Sequence, residues 1–162
     1  MGSNCGHHHD VASPTADAVR GAMRDAEDRF VETGERLTAP RRRVLELLIE
    51  GGGPLKAYDL IARFGEDGTP AKPPTVYRAL EALERQGLVH RIASISAYVA
   101  CTQGGQAHAA AFLICDCCGD TREIAPPPGA DLAREAGVEG YVLSRVTIEG
   151  RGRCAACAEP AA

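Results

Sequence analysis

Two C-x-x-C pairs constrain this chain more than any other feature: Cys115 and Cys118 in "FLICDCCGDTREI", and Cys154 and Cys157 in "GRCAACAE". Two such pairs, carried at the ends of separate strands, can close a tetrahedral thiolate site around zinc. Four thiolates leave no open coordination position, so water cannot be activated there and the role of the metal is structural. The site would carry a net charge of about −2, which backbone N–H donors must offset. The rival reading is a redox C-x-x-C. That motif usually opens a helix after a strand, and two pairs in one small lobe argue against it. Cys117 lies between the first pair and should point to the other side of the turn. It reads as a bystander thiol, with an extra ligand or an oxidation-sensitive site as the alternative.

The lobe around these cysteines needs such a staple. "AAFLICD" and "TREIA" read as strands joined by the "CDCCGD" turn, residues 130–137 as a short helix, and "YVLSRVTIEG" as a third strand. A unit of about 55 residues is marginal unless stapled or dimeric. The chain has no Trp and few aromatics, which suits two lean lobes better than one large core.

The first lobe reads as helical. Residues 1–15 are small and polar and are expected to be a disordered tail; Cys5, His7, His8 and His9 within it could capture metal, or be a scar or a floppy end. Residues 16–32 carry Val19, Met23, Ala26 and Phe30 on one side of a helix. Thr38 is placed to cap a second helix with Pro40 in its first turn and Val44, Leu45, Leu48 and Ile49 on its apolar face. A third, short helix would turn Tyr58, Ile61 and Phe64 inward.

"AKPPTVYRALEALERQGLV", residues 71–89, is the clearest helix, with Pro73 and Pro74 at its start and Gly87 at its end. Val76, Leu80 and Leu83 stack on one face, and Arg78 and Arg85 fall almost opposite. Its first turn, with Thr75, Tyr77 and Arg78 beside uncapped N–H groups, is suited to phosphates and base edges. "LVHRIASISAYVAC" alternates like a two-stranded wing. Helices followed by a hairpin is the order of a winged helix-turn-helix. Charge agrees: the net charges of residues 1–35, 36–91 and 92–162 are −4, +3 and −3, so only the middle block is positive. The plainer alternative is a helical bundle whose Arg78 and Arg85 are merely solvated.

No apolar run approaches the ~18–20 residues that span a bilayer, and the start lacks the apolar core of a signal peptide. A cytoplasmic setting follows, where paired cysteines are ligands rather than disulfides. A second donor set is looser. His90 at the start of the wing, Cys101 between the lobes, His108 just beyond and Glu123 on the strand after the first C-x-x-C offer two imidazoles, a thiolate and a carboxylate, a set suited to Zn²⁺.

With these residues in view, the chain resembles the ferric uptake regulator family, and within it the zinc uptake branch. The resemblance runs from about Ala16 to Cys157 and rests on "LTAPRRRVLELL", "AYDLI", "AKPPTVYRALEALERQGLVHRI", "AYVAC", "FLICDCCGDTREI" and "CAAC". It implies an α+β fold: a winged-helix DNA-binding domain over 16–99, a hinge over 100–104 and an α/β dimerisation domain over 105–162. By motif position, Cys115, Cys118, Cys154 and Cys157 match the structural zinc ligands, and His90, Cys101, His108 and Glu123 the regulatory zinc ligands, giving two Zn²⁺ per chain. Tyr77 and Arg78 fall in the family's recognition helix. Thr75, Lys72 and Arg41 are the further DNA-contact candidates, with Arg85 a phosphate contact or a solvated charge. The clustered histidines of the iron-sensing branch are missing before Cys115, which with Cys101 favours zinc. "LTAPR" departs from the family's "LTPQR", so the start of that helix is expected to differ.

The implied function is a homodimeric repressor of zinc-uptake genes, binding a palindromic DNA operator with zinc as co-repressor. The alternatives are a relative sensing iron, manganese, nickel or peroxide, a thiol redox protein, or a zinc-ribbon interaction module. No open metal position or nucleophile–base pair suggests an enzyme, and no membrane partner is expected.

Overall fold

The computed structural model describes residues 14–65, 67–102, 109–126, 132–143 and 145–158. The chain divides into two compact units, one within Val11–Ala107 and one within His108–Ala162. The tail cysteine and histidines, and His108, lie outside the described residues.

The first unit contains α1 (Ala16–Glu32), α2 (Ala39–Gly51), β1 (Leu55–Lys56), α3 (Ala57–Ala62), α4 (Pro73–Arg85), β2 (Val89–Ile92) and β3 (Ala97–Ala100). Thr15 caps α1, its Oγ1 accepting the Ala18 N–H at 3.2 Å. Thr38 occupies the N-cap of α2, but its side chain makes no capping bond, contrary to the sequence reading. Pro40 in the first turn has no N–H to satisfy, so less is lost there. Gly87, at φ 70°, ends α4 by donating to the Glu84 carbonyl at 3.1 Å. Leu88 N–H reaches back to Leu83 at 3.0 Å, so the chain turns directly into β2.

The spacing of apolar residues converts into one core. Met23, Ala26 and Phe30 of α1 meet Val44, Leu45 and Leu48 of α2, Leu60 of α3, and Val76, Leu80 and Leu83 of α4. Each large side chain so buried is worth ~1.5–3 kcal/mol. The inward face of α3 differs from expectation: Ala57 and Leu60 are buried, Ile61 and Phe64 are half-buried, and Tyr58 is 77% exposed. The six-residue α3 is too short for its periodicity to fix which side faces in. β2 and β3 form the expected antiparallel wing, with Val89 opposite Ala100. The sequence reading missed β1, which pairs Leu55 with Tyr98 and makes the sheet three-stranded.

The second unit has β4 (Ala110–Cys115), β5 (Thr121–Ile124), α5 (Leu132–Val138) and β6 (Thr147–Gly152), with sheet order β5-β4-β6. β4 is central, antiparallel to β5 and parallel to β6. The third strand begins later than expected: Tyr141, Val142 and Leu143 precede it and are exposed. The core here is slight, with Phe112 and Ile114 its only large members among the described residues.

Candidate metal centre and nucleic-acid interface

Strand register brings the four cysteines together. β4 and β6 run parallel with Cys115 beside Gly152, so the turn after each strand emerges at the same end of the sheet. The Asp116 N–H donates to the Gly152 carbonyl at 2.7 Å, and Arg151 Nε to Asp116 Oδ1 at 2.8 Å, tying one turn to the other. The Sγ atoms of Cys115, Cys118, Cys154 and Cys157 all lie within 4.8 Å of one another, and those of Cys118 and Cys154 are 3.7 Å apart. A tetrahedron with Zn–S bonds of ~2.3 Å has edges of about 3.8 Å. The donor set and its spacing therefore fit a tetrathiolate zinc.

The electrostatics suit a cation. Backbone N–H groups of Cys118 and Cys154 point at the Cys115 sulfur, the second at 3.3 Å, and hold that thiol down at about 6. They are the donors that a doubly negative site requires. Burial, together with the thiols of Cys154, Cys118 and Cys115, pushes Cys157 up to about 12. The Asp120 N–H pulls Cys118 down, but burial and the Cys115 sulfur outweigh it and leave Cys118 raised. The cluster so holds protons that a divalent cation would replace. Cys117 takes no part in the tetrad.

Two of the other candidate ligands are neighbours within the first unit. His90 on β2 is buried, and Cys101 follows β3, its N–H donating to Leu88 at 2.9 Å. Their ligand atoms lie within 4.8 Å of each other. Glu123 belongs to the second unit, on β5 opposite Phe112.

Helix α4 exposes Lys72, Tyr77 and Arg78, with Thr75 half-buried. Its N-terminus is not the amide donor that the sequence suggested. Pro73 and Pro74 have no N–H, and the Thr75 N–H is already given to the Lys72 carbonyl at 2.9 Å. Anions at this end must be met by side chains. Arg41 is also different from expectation: it packs over Phe30 at 5.1 Å and bonds Glu35 at 3.0 Å and the Arg36 carbonyl at 2.7 Å. Tyr58, beside exposed Lys56 at the start of α3, is the surface aromatic that periodicity concealed.

Residues 32–150 match the model of the ferric uptake regulator family. The chain is 39% identical to the zinc uptake regulation protein of Escherichia coli over 139 residues, 85% of this chain and 81% of the relative. A solved zinc uptake regulator complexed with zinc and DNA superposes with a TM-score of 0.77 at 38% identity, over 89% of this chain and 96% of that one. The holo form of XcZur gives 0.72 at 38% identity, over 85% and 96%.

Proposed function

The chain belongs to the ferric uptake regulator family, on the side of its zinc uptake regulators, and we propose from this that it is a zinc-responsive, dimeric DNA-binding repressor of zinc-uptake genes. One observation carries the reading. A winged-helix unit with an exposed helix α4 shares its chain with a four-thiol cluster of tetrahedral spacing, at 38% identity to a regulator solved with zinc and DNA. The family is one of transcription regulators, and we assign the chain no catalytic role.

Helix α4 is the recognition element, with Arg78 and Tyr77 reading base edges or phosphate and Thr75 and Lys72 assisting. Tyr58 on α3 and Lys56 just before it are offered to the backbone, as the first helix of a helix-turn-helix crosses it. Arg41 supports the fold of the unit, since its guanidinium is engaged within it. The exposed apolar side chains Leu132, Val138, Tyr141 and Val142 in the second unit support self-association.

Two zinc ions per chain are proposed. Cys115, Cys118, Cys154 and Cys157 would hold the structural ion. His90, Cys101, His108 and Glu123 would hold the regulatory ion, a set supported by the chemistry of its donors and by the family pattern. These four come from a DNA-binding domain over 16–99, a hinge over 100–104 and a dimerisation domain over 105–162. Zinc binding would thus bias the spacing of two recognition helices toward the ~34 Å repeat of half-sites on a palindromic operator. No helix of the described residues is long and apolar enough to cross a membrane, and we place the protein in the cytoplasm.

The test is a zinc titration reading bound metal per chain and affinity for an operator duplex together. His90→Ala or Cys101→Ser should give a folded dimer with about one zinc per chain and little zinc-responsive binding. Operator affinity that is equal with the tetrathiolate ion alone and with both ions would refute the regulatory site.

A further inference from the structure

Glu35 lies in the loop between α1 and α2, and its carboxylate collects donors from two helices. Arg41 of α2 donates to Oε2 at 3.0 Å, Arg85 of α4 reaches the same oxygen at 3.6 Å, and Gln86 Nε2 donates to Oε1 at 3.3 Å. Gln86 is buried, and its carbonyl accepts from Arg29 of α1 at 3.4 Å, so the carboxylate is seated on a fixed base. Arg85 is half-exposed and comes seven residues after Arg78. Seven residues are ~700°, within about 20° of two full turns and ~10.5 Å along the axis. The two arginines therefore share the solvent face of the recognition helix, but among the described residues only Arg85 is held by an acidic partner.

The positive block of residues 36–91 has a net charge of +3. Two of its guanidiniums converge on the one Glu35 carboxylate, which the sequence places in the acidic block before it. We propose that Glu35 is a specificity-determining residue: it holds Arg41 and Arg85 away from phosphate, so that helix α4 grips DNA through its N-terminal half, where Tyr77 and Arg78 lie. The inference rests on α4 being the DNA-reading helix. An arginine freed at the far end of that helix would add phosphate contacts, which strengthen binding to any sequence alike.

Glu35→Gln keeps the shape and the acceptor for Gln86 while removing the charge. The zinc-loaded protein would be titrated with an operator duplex selected from random DNA by the wild type, and with a scrambled duplex of equal length, across salt concentrations. Each added phosphate contact steepens log K against log salt by ~0.9. For scrambled DNA, the ratio of affinities at about 50 and 200 mM salt should then grow about 3.5-fold for one arginine and about 12-fold for two. The operator-to-scrambled ratio should fall. Arg85→Gln in the wild-type background should leave the slope unchanged, and in the Glu35→Gln background it should remove about 0.9 of the added slope. A slope that Arg85→Gln lowers by ~0.9 in the wild type shows Arg85 already on phosphate and overturns the proposal. So does a Glu35→Gln variant that loses operator and scrambled binding equally at unchanged slope, which is the signature of a support for the fold. Wild-type protein that prefers no duplex, with Arg78→Ala no different, removes the DNA-reading premise and the inference with it.

Discussion

Stripping the tetrathiolate metal should unfold the second unit and spare the first. Among the described residues, the large buried side chains of that unit are Phe112 and Ile114, beside Ala110, Ala111 and Cys115. Burying the two large ones contributes about 3–6 kcal/mol. A structural zinc contributes on the order of 10–16 kcal/mol in small domains at neutral pH. A zinc held by the four thiols would thus be the larger of the two contributions, and the sheet is expected to depend on it. The first unit has its own core around Phe30, Leu48, Leu60, Leu80 and Leu83 and needs no ion for it. The assay is amide hydrogen exchange of the full chain before and after prolonged chelation, with metal content followed in parallel. The amides of Cys115 and Asp116, which pair with the Asp120 and Gly152 carbonyls, should lose their protection, and those of α2 and α4 should keep theirs. Cys154→Ser should give the same pattern without a chelator. Protection in β4 that stays within about tenfold of the loaded protein, once the ion is gone, corresponds to a change under about 1.4 kcal/mol and would falsify the staple.

Further expectations concern pH, DNA and packing. Because Cys157 and Cys118 both titrate above the ordinary thiol value, each surrenders a proton when zinc enters at neutral pH. Apparent affinity should accordingly climb with rising pH by up to about a hundredfold per unit from these two thiols. Below about 6 the Cys115 proton adds to the effect; competition against a chelator of known affinity would reveal a flat profile if this is wrong. Arg78→Ala should weaken operator binding with zinc content intact, and unchanged binding removes it from the interface. Leu60→Ala should cost about 2–5 kcal/mol in denaturant unfolding of the first unit, since the side chain is fully buried. Gly65→Ala should cost about 1–3 kcal/mol, because a Cβ there would sit 2.7 Å from the Thr69 carbonyl; a neutral result would mean that the loop before α4 yields freely.

What the sequence disclosed, and what it withheld, follows from the reach of each signal. The faces of α1, α2 and α4 were legible because more than three turns repeat the same spacing. On α3 the pattern had too few turns, and the exposed Tyr58 was read as core. The two-residue strand β1 carries no periodicity at all; only its pairing with β3 defines it. The four-thiol cluster was legible because C-x-x-C fixes each pair locally, and the parallel register of β4 and β6 then supplied the convergence. Arg41 misled because a solvated cation and one that bonds Glu35 look alike in a string of letters. The start of α4 misled for a simpler reason: two prolines that signal a helix start also delete the amides that such a start would present.

The side-by-side turns of the cysteine cluster have a temporal corollary. Cys154 follows Cys115 by 39 residues and Cys118 by 36, with β5, α5 and β6 synthesised in between. On a translating ribosome the DNA-reading lobe is complete long before the last two sulfurs exist. The nascent chain therefore passes through an interval in which a completed first unit is joined to a second whose four-thiol cluster cannot yet assemble.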